Sequence, residues 1–480
     1  MTSRESNALP PAAAGTSVSA LPVLPGSWAG TGRGAEASSG TARPGQQINY
    51  ERFLDCVHCG LCTAACPTYL ETGNENDSPL GRIYLMRSVV DGRIDLTPAV
   101  QQHLNLCLDC RACETACPSG VQYGRLIEPF RVDPQAAEAR AGRPRNTDCF
   151  HRFLLYGLFP SRHRMAWALW PARIAQRLRL DRAAERLGLL RWLPSRLQRM
   201  QRLLPPLQTP PPPLPSLLPA IGPRRARVGL FLGCVADAVF RRQHWATARV
   251  LQQNGCEVVV PPTQGCCGAI HYHSGSSDPA LDLARNNARI FREAGVDAVM
   301  VNVAGCGSML QDYGHLAHEL APHDAALQQE LAACAGQMRD PMEFLAELGL
   351  IAPQGPVPLR AVYHDACHLV HAQKIREQPR QLLAQVPGLT LVPINEPEVC
   401  CGAAGSYNLT EPDMSDRLAA RKMANLLAAE PEAIISPNVG CSMQIQAELR
   451  QRGREVWVAH PMEVLDLSYR GVAPPSPGQR

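Results

Sequence analysis

Two runs of cysteine dominate the chemistry open to this chain. Cys56, Cys59, Cys62 and Cys66 follow the pattern Cys-x2-Cys-x2-Cys-x3-Cys and precede Pro67; Cys107, Cys110, Cys113 and Cys117 repeat it 51 residues later and precede Pro118. Three thiolates in one tight loop can grip three irons of a cubane, while the fourth, redirected by its proline, reaches the cluster of the other run. That pattern assigns Cys56, Cys59, Cys62 and Cys117 to one [4Fe–4S] cluster, and Cys66, Cys107, Cys110 and Cys113 to a second. Structural zinc also uses closely spaced cysteines, but its sites pair two short knuckles far apart in sequence rather than four cysteines in one run. Two neighbouring cubanes make a wire rather than a catalyst, and no residue of the chain is marked as catalytic.

A second repeat lies further along. Cys234, the Cys266-Cys267-Gly268 triplet and Cys306 are matched by Cys367, Cys400-Cys401-Gly402 and Cys441, at offsets of 133, 134 and 135. Each group falls at or just past the end of an apolar run, and ligands of open α/β sheets collect beyond the carboxyl ends of the strands. These eight are therefore candidate cofactor-binding thiols, four per unit. The glycine after each pair would let backbone approach a bulky ligand closely. Buried packing cysteines are the plainer alternative, although packing alone leaves matched vicinal pairs unexplained, and redox dithiols are another. The two repeats use 16 of the 19 cysteines; Cys149, Cys256 and Cys334 fit no pattern and read as structural thiols. His271, His273, His364, His368 and His371 lie near the motifs and are expected to be satisfied core or supporting side chains, with cluster tuning or a proton relay as the alternative, and not to ligate.

The elements that must position these thiols follow from the surrounding texture. Residues 1–46 are rich in Ala, Gly, Ser and Pro and are expected to be a disordered tail. A two-cluster ferredoxin-type domain spans 47–135. From 136 to 222 the pattern is a helical, Pro-rich linker carrying Trp167, Trp170 and Trp192 among many arginines, with the run at Pro210–Pro213 marking a boundary. Two repeated α/β units follow, 223–345 and 356–470. Their expected strands are Val228–Leu232, Val258–Val260 and Ala298–Val303 in the first, and Arg360–His364, Leu389–Pro393, Ala433–Ser436 and Glu455–Val458 in the second. Helices are expected over Ala280–Glu293 and Asp413–Ala428. The fold class is a multidomain α+β and α/β chain.

The net charge of +4 over 480 residues is small, and lysine is nearly absent, with only Lys374 and Lys422. No stretch approaches the roughly 20 apolar residues that span a bilayer. The N-terminus has only broken apolar pieces, so the expected location is cytoplasmic, with any membrane contact peripheral at the inner face of the plasma membrane. An amphipathic helix bearing arginine and tryptophan over 167–202 suits such a surface, and internal packing between domains is the competing expectation. No Gly-x-Gly-x-x-Gly follows a strand, so neither FAD nor NAD is expected on this chain, and no nucleic-acid-binding element is recognisable.

These motifs together resemble the iron–sulfur subunits of glycolate dehydrogenase (glycolate oxidase). The resemblance rests on Cys56-Val-His-Cys-Gly-Leu-Cys62, Cys66-Pro-Thr-Tyr69, Gly81-Arg-Ile-Tyr84, Cys117 to Gly124, Gly265-Cys-Cys-Gly-Ala269, Ala284-Arg-Asn-Asn287, Tyr363-His364, His371-Ala-Gln-Lys374, Cys400-Cys-Gly402 and Asn438-Val-Gly-Cys441. It implies a ferredoxin domain followed by two "CCG" cysteine-rich domains, with FAD-binding partner subunits that oxidise glycolate and a quinone or other electron acceptor. Lactate and glycerol-3-phosphate dehydrogenase subunits share this plan. Heterodisulfide-reductase relatives end each CCG motif in Cys-x-x-Cys; here Met309 and Gln444 occupy the last position, which weighs against thiol/disulfide chemistry.

Overall fold

The computed structural model describes residues 44–45, 48–128, 130–131, 153–158, 161–207, 209–274 and 276–476. Nearly all of the expected tail, residues 132–135 of the ferredoxin segment, the start of the linker and Cys149 lie outside them.

Two sheets carry the C-terminal part. β1 (Leu217–Leu218), β2 (Ala226–Phe231), β3 (Cys256–Val259), β4 (Ala298–Val301) and β5 (Met338–Arg339) form the first, in the order β1-β3-β2-β4-β5, with only β1 antiparallel to its neighbour. β6 (Leu359–Tyr363), β7 (Leu389–Val392), β8 (Ala433–Ile435) and β9 (Trp457–Ala459) form the second, all parallel, in the order β7-β6-β8-β9. Without β1 the two orders are the same, so the cysteine repeat is a repeat of architecture. In each sheet the chain starts on an inner strand, steps to one side, then crosses to the other. The strand order reverses beyond the ends of β2 and β4, and of β6 and β8, which is where a crevice opens.

The inner strands are covered on both faces, so Val228, Leu230, Val299, Met300, Val362 and Ile434 are all buried and the apolar runs are continuous. Every expected strand is present with its ends moved by a few residues. The two-residue strands β1 and β5 are too short to leave a periodic signal.

The two units share one core. Leu230, Leu232, Ala248 and Val250 pack with Ala361, Ile435, Ala459, Met462 and Leu465. Arg249 seals the seam with a two-point ion pair to Asp466, at 2.7 and 2.6 Å. Beside it His460 Nε2 lies 2.8 Å from the Asn302 carbonyl, and Asn302 Nδ2 donates to His244 Nδ1 at 3.0 Å. Burial pulls both imidazoles down to about 4, so the seam is built from neutral histidines.

The N-terminal segment is a set of short helices, including Pro67–Thr72, Pro79–Val90, Pro98–Asn105 and Ala112–Thr115, around Phe53, Ile83, Met86, Leu104, Ile127 and Phe130. Proline in the first turn and the caps Ser78 and Thr97, which accept from Gly81 N and Val100 N, start two of them. The linker helices are Arg162–Ala168, Trp170–Arg177, Leu180–Arg186 and Ser195–Leu203. The proline run is strapped down rather than free: the carbonyls of Pro211 and Pro212 accept from Arg241 and Trp245.

Candidate metal centres

The two N-terminal cysteine loops are conformational copies. His58 and Gly60 in the first, and Asp109 and Arg111 at the matching places in the second, all have positive φ, at 56°, 79°, 53° and 59°. The turns aim successive thiols inward. Glycine adopts this conformation freely, whereas a side chain costs about 1–2 kcal/mol. At Arg111 that cost delivers the guanidinium to Glu128 and Asp312, each at 3.0 Å.

Cys56, Cys59 and Cys62 line one cavity with Cys117, between Pro79, Leu80, Ile83 and Pro118. The first three thiols of one loop thus line the same cavity as the last thiol of the other, and Cys113 also reaches the wall. Burial pushes the Cys62 thiol up to about 11, with Cys56, Cys66 and Cys117 adding to the effect. On the other side burial raises Cys113, reinforced by Cys110, Cys107 and Cys66. Cys66 is steered there by its extended backbone ahead of Pro67, its Sγ 3.2 Å from Thr68 Oγ1. Thiols crowded in this way cannot ionise together unless a cation shares the space, and a thiophilic metal supplies that cation. The residues therefore fit the two clusters that the sequence pattern implies.

In the first sheet unit Cys234 follows β2, with its Sγ 3.6 Å from that of Cys266. Asn287 clamps the Cys-Cys loop, accepting from Gly265 N at 3.0 Å and donating to the Cys266 carbonyl at 2.9 Å, while the Tyr313 hydroxyl donates to the Cys267 carbonyl at 2.9 Å. Cys306 begins the opposite wall, on the helix Ala304–Gln311. The second unit gathers Cys367, Cys400, Cys401 and Cys441 in the same way. Cys367, joined to Cys400 by a hydrogen bond, is drawn down to about 7, and Cys401 lies well below the usual thiol range, held there by Cys400 and Cys441. Here the clamp is Lys422, 135 residues after Asn287, whose ammonium donates to the carbonyls of Glu396 and Pro397 at 3.0 and 2.8 Å. The glycines after the pairs serve the fold: Gly268 and Gly402 have φ of 87° and 81°, and a Cβ on Gly402 would meet the Ser415 carbonyl at 2.6 Å. Cys256 and Cys334 are buried outside either group, in keeping with structural thiols.

The second N-terminal loop docks on both sheet units. Cys110 packs with Cys400 and Cys367, among Leu108, Tyr407, Met414 and Leu418. The Tyr407 hydroxyl donates to the Leu106 carbonyl at 2.8 Å, His368 Nε2 lies 2.9 Å from the Asp109 carbonyl, and His371 Nδ1 lies 2.9 Å from Thr115 Oγ1. Toward the first unit the contact is ionic, through Arg111 and Arg125 to Asp312, while His273, which burial pulls down to about 4 and keeps neutral, stands 3.4 Å from both Asp109 and Glu128. His273, His368 and His371 thus bind the loop to the sheet units. His271 stands in the helix Ala269–His273 beside the first thiol group. Arg111, Lys422 and Asn287 have no signal in the sequence that marks them as positioning residues, beyond Lys422 being one of only two lysines.

Family models place a "4Fe-4S dicluster domain" on residues 52–121, a "Glycolate oxidase iron-sulfur subunit, linker region" on 147–204, and a "Cysteine-rich domain" on both 228–311 and 361–446. A probable glycolate oxidase iron–sulfur subunit of Bacillus subtilis is 37% identical over 417 residues, 85% of this chain and 91% of its own length. The glycolate oxidase iron–sulfur subunit of Escherichia coli is 34% identical over 416 residues, 86% and 93% of the two chains. The chain belongs to the glycolate oxidase iron–sulfur subunit family. It is an iron–sulfur protein of the kind that forms one subunit of an oxidoreductase. A lactate utilization protein A of Exiguobacterium is 30% identical over 240 residues, half of this chain. The family's linker model falls on the helices that bear the exposed tryptophans, so that segment belongs to the shared design. Among the described residues no helix is long and apolar enough to cross a membrane.

Proposed function

We propose that this chain is the electron-transfer subunit of a flavin-dependent glycolate dehydrogenase, organised as a ferredoxin domain over 47–135, a linker over 136–222 and cysteine-rich domains over 223–345 and 356–470. Cys56, Cys59, Cys62 and Cys117 hold one [4Fe–4S] cluster and Cys66, Cys107, Cys110 and Cys113 the other. The observation that carries the proposal is the cavity in which Cys117 joins the three thiols of the opposite repeat. When bound, such clusters accept and release single electrons, whereas glycolate oxidation removes a pair together with a hydride equivalent. The substrate chemistry therefore sits on an FAD-binding partner.

The chain's own residues give this route a direction. Val57 and Leu61, exposed to 67% and 58%, flank the exposed Cys59 and present an apolar rim on which a partner can dock. Cys110 faces the thiols of the second cysteine-rich unit, which supports passage from the rim through the second loop into that unit and on to a quinone or other acceptor. In the purified complex, Cys59→Ser or Cys110→Ser should abolish dye and quinone reduction while glycolate still bleaches the partner flavin. Undiminished quinone turnover in both variants would overturn the proposal.

A specific observation also favours peripheral attachment to a membrane. Trp167, Trp170 and Trp192 are exposed to 76%, 57% and 89%, with Leu178, Leu180, Leu187 and Leu189 exposed alongside, contrary to the internal packing that the sequence left open. Residues 161–204 hold eleven arginines against Asp181 and Glu185, a net +9, which leaves −5 on the rest of the chain. An apolar ridge in a basic field fits the interface of an anionic bilayer. The full chain should float with vesicles containing anionic lipid and not with neutral ones, and a Trp167→Ala, Trp170→Ala, Trp192→Ala variant should lose most of that binding; equal flotation of variant and parent would sink the membrane role.

A further inference from the structure

One side chain in the second cysteine-rich unit has no explanation as a packing residue. His364 follows β6, pinned by its backbone N–H to the Ile435 carbonyl at 2.8 Å. It is 1% exposed, and neither ring nitrogen has a hydrogen-bond partner. A buried imidazole left unpaired loses its hydration without compensation. What the ring does face is sulfur: a ring nitrogen of His364 and the Sγ atoms of Cys401 and Cys441 all lie within 4.8 Å of one another.

The same crevice holds two further groups suited to anionic sulfur. Asn438 Nδ2 donates to Cys441 Sγ at 3.1 Å, and the buried Lys422 ammonium stands behind Cys400 and Cys401. At the matching places the first unit has Phe231 for His364, Val303 for Asn438 and Asn287 for Lys422, at offsets of 133, 135 and 135. Phe231 packs its ring against Phe291, 6.3 Å between centroids. Among the described residues, one other group of three such side chains gathers as closely, Asp109, Glu128 and His273, and the Arg111 guanidinium already answers its charge.

We propose that His364 is a metal ligand, joining Cys401 and Cys441, with Cys367 and Cys400 beside them, in a mixed thiolate–imidazole centre. This rests on the reading of the cysteine-rich domains as cofactor sites, and it moves His364 from the supporting role assigned by sequence into the ligand set. The metal class is one that accepts both sulfur and imidazole: iron in a cluster, or zinc. An imidazole ligand in place of a thiolate leaves the centre one negative charge poorer and raises its reduction potential, as the histidine-ligated [2Fe–2S] centres do relative to all-cysteine ones.

The test uses the full chain purified anaerobically, with iron and zinc content and electron paramagnetic resonance recorded for the parent, His364→Ala, His364→Cys and Cys256→Ala, the last a buried thiol outside either group. The parent should carry metal beyond the two ferredoxin clusters. His364→Ala should lose that increment while the ferredoxin signals stay unchanged, and Cys256→Ala should keep it. His364→Cys should retain the metal with altered ligation: nitrogen hyperfine coupling disappears if the metal is iron, or the zinc X-ray absorption changes from mixed nitrogen and sulfur to sulfur alone. Metal content equal to the two ferredoxin clusters in the parent, or a full increment in His364→Ala, would overturn the proposal. If His364→Ala loses the ferredoxin signals too, His364→Cys decides, because it fills the same space: unchanged nitrogen coupling or zinc absorption there overturns the assignment.

Discussion

The two cysteine-rich units have the same strand order and the same thiol spacing, yet they meet the ferredoxin loops in opposite ways. The first unit touches them through charge, with Asp312 taking Arg111 at 3.0 Å and Arg125 at 2.7 Å. The second touches them through sulfur and apolar packing, with Cys110 set against Cys400 and Cys367. A repeated architecture therefore does not imply a repeated role. The ionic face is suited to holding the loop in register, and the sulfur face to conducting from it. That division is open to direct attack.

The largest effect should come from the thiols themselves. If the second unit lies on the route, Cys401→Ser should cut acceptor reduction by the complex at least tenfold, while Cys267→Ser in the first unit should leave turnover within about threefold of the parent, an interval of roughly 0.7 kcal/mol in barrier. Steady-state dye reduction with matched flavin content measures both. Equal losses would erase the distinction between the units, and a larger loss in Cys267→Ser would reverse it.

Next in size is the ionic face. Arg111→Met keeps most of the side-chain volume but takes the cation from Glu128 and leaves Asp312 with Arg125 alone. Breaking a buried pair on one side typically costs about 3–5 kcal/mol. The ferredoxin segment of this variant should lose its clusters at clearly lower urea than the parent, as followed by absorbance of the bound iron. An unshifted midpoint would mean that the first unit does not hold the loop.

How far these faces could be read in advance differs sharply between them. The cysteine sets, the sheet repeat and the strands were legible because each is local: fixed spacing and apolar runs carry them within a few dozen residues. The docking of Cys110 on Cys400 joins positions 290 residues apart in the chain, and no periodicity encodes such a contact. Arg111 was hidden for another reason: its positive φ breaks the rule that such places belong to glycine, which Gly60 obeys in the matching loop. Lys422 and Asn287 do the same work with different chemistry, so the repeat itself concealed their equivalence. The ligand role proposed for His364 was not legible in advance, because sequence could place it near the thiols but could not show that both ring nitrogens lack any other partner.

The smallest effect should come from the seam, where the units are alike rather than different. His244 on the first unit and His460 on the second meet through Asn302, and burial holds both to about 4, below their ordinary value of 6.5. The unfolded chain binds protons at these two sites as pH drops below about 6.5, and the folded chain does so only near 4. The folded state therefore loses stability as pH falls through that window, by up to about 1.4 kcal/mol per pH unit for each histidine. Anaerobic urea titrations of the parent and a His460→Gln variant at pH 7.5, 6.5 and 5.5 isolate the seam's contribution as a difference, since His273, Asp340 and Glu463 titrate in both chains. In His460→Gln, where an amide can still donate to the Asn302 carbonyl, stability should fall less than in the parent between pH 6.5 and 5.5, by one histidine's share. If the slope with pH is unchanged in that variant, the neutral seam is not what binds the two units into one body, and the contrast between their ferredoxin-facing sides would have to be redrawn as one between two separately folding domains.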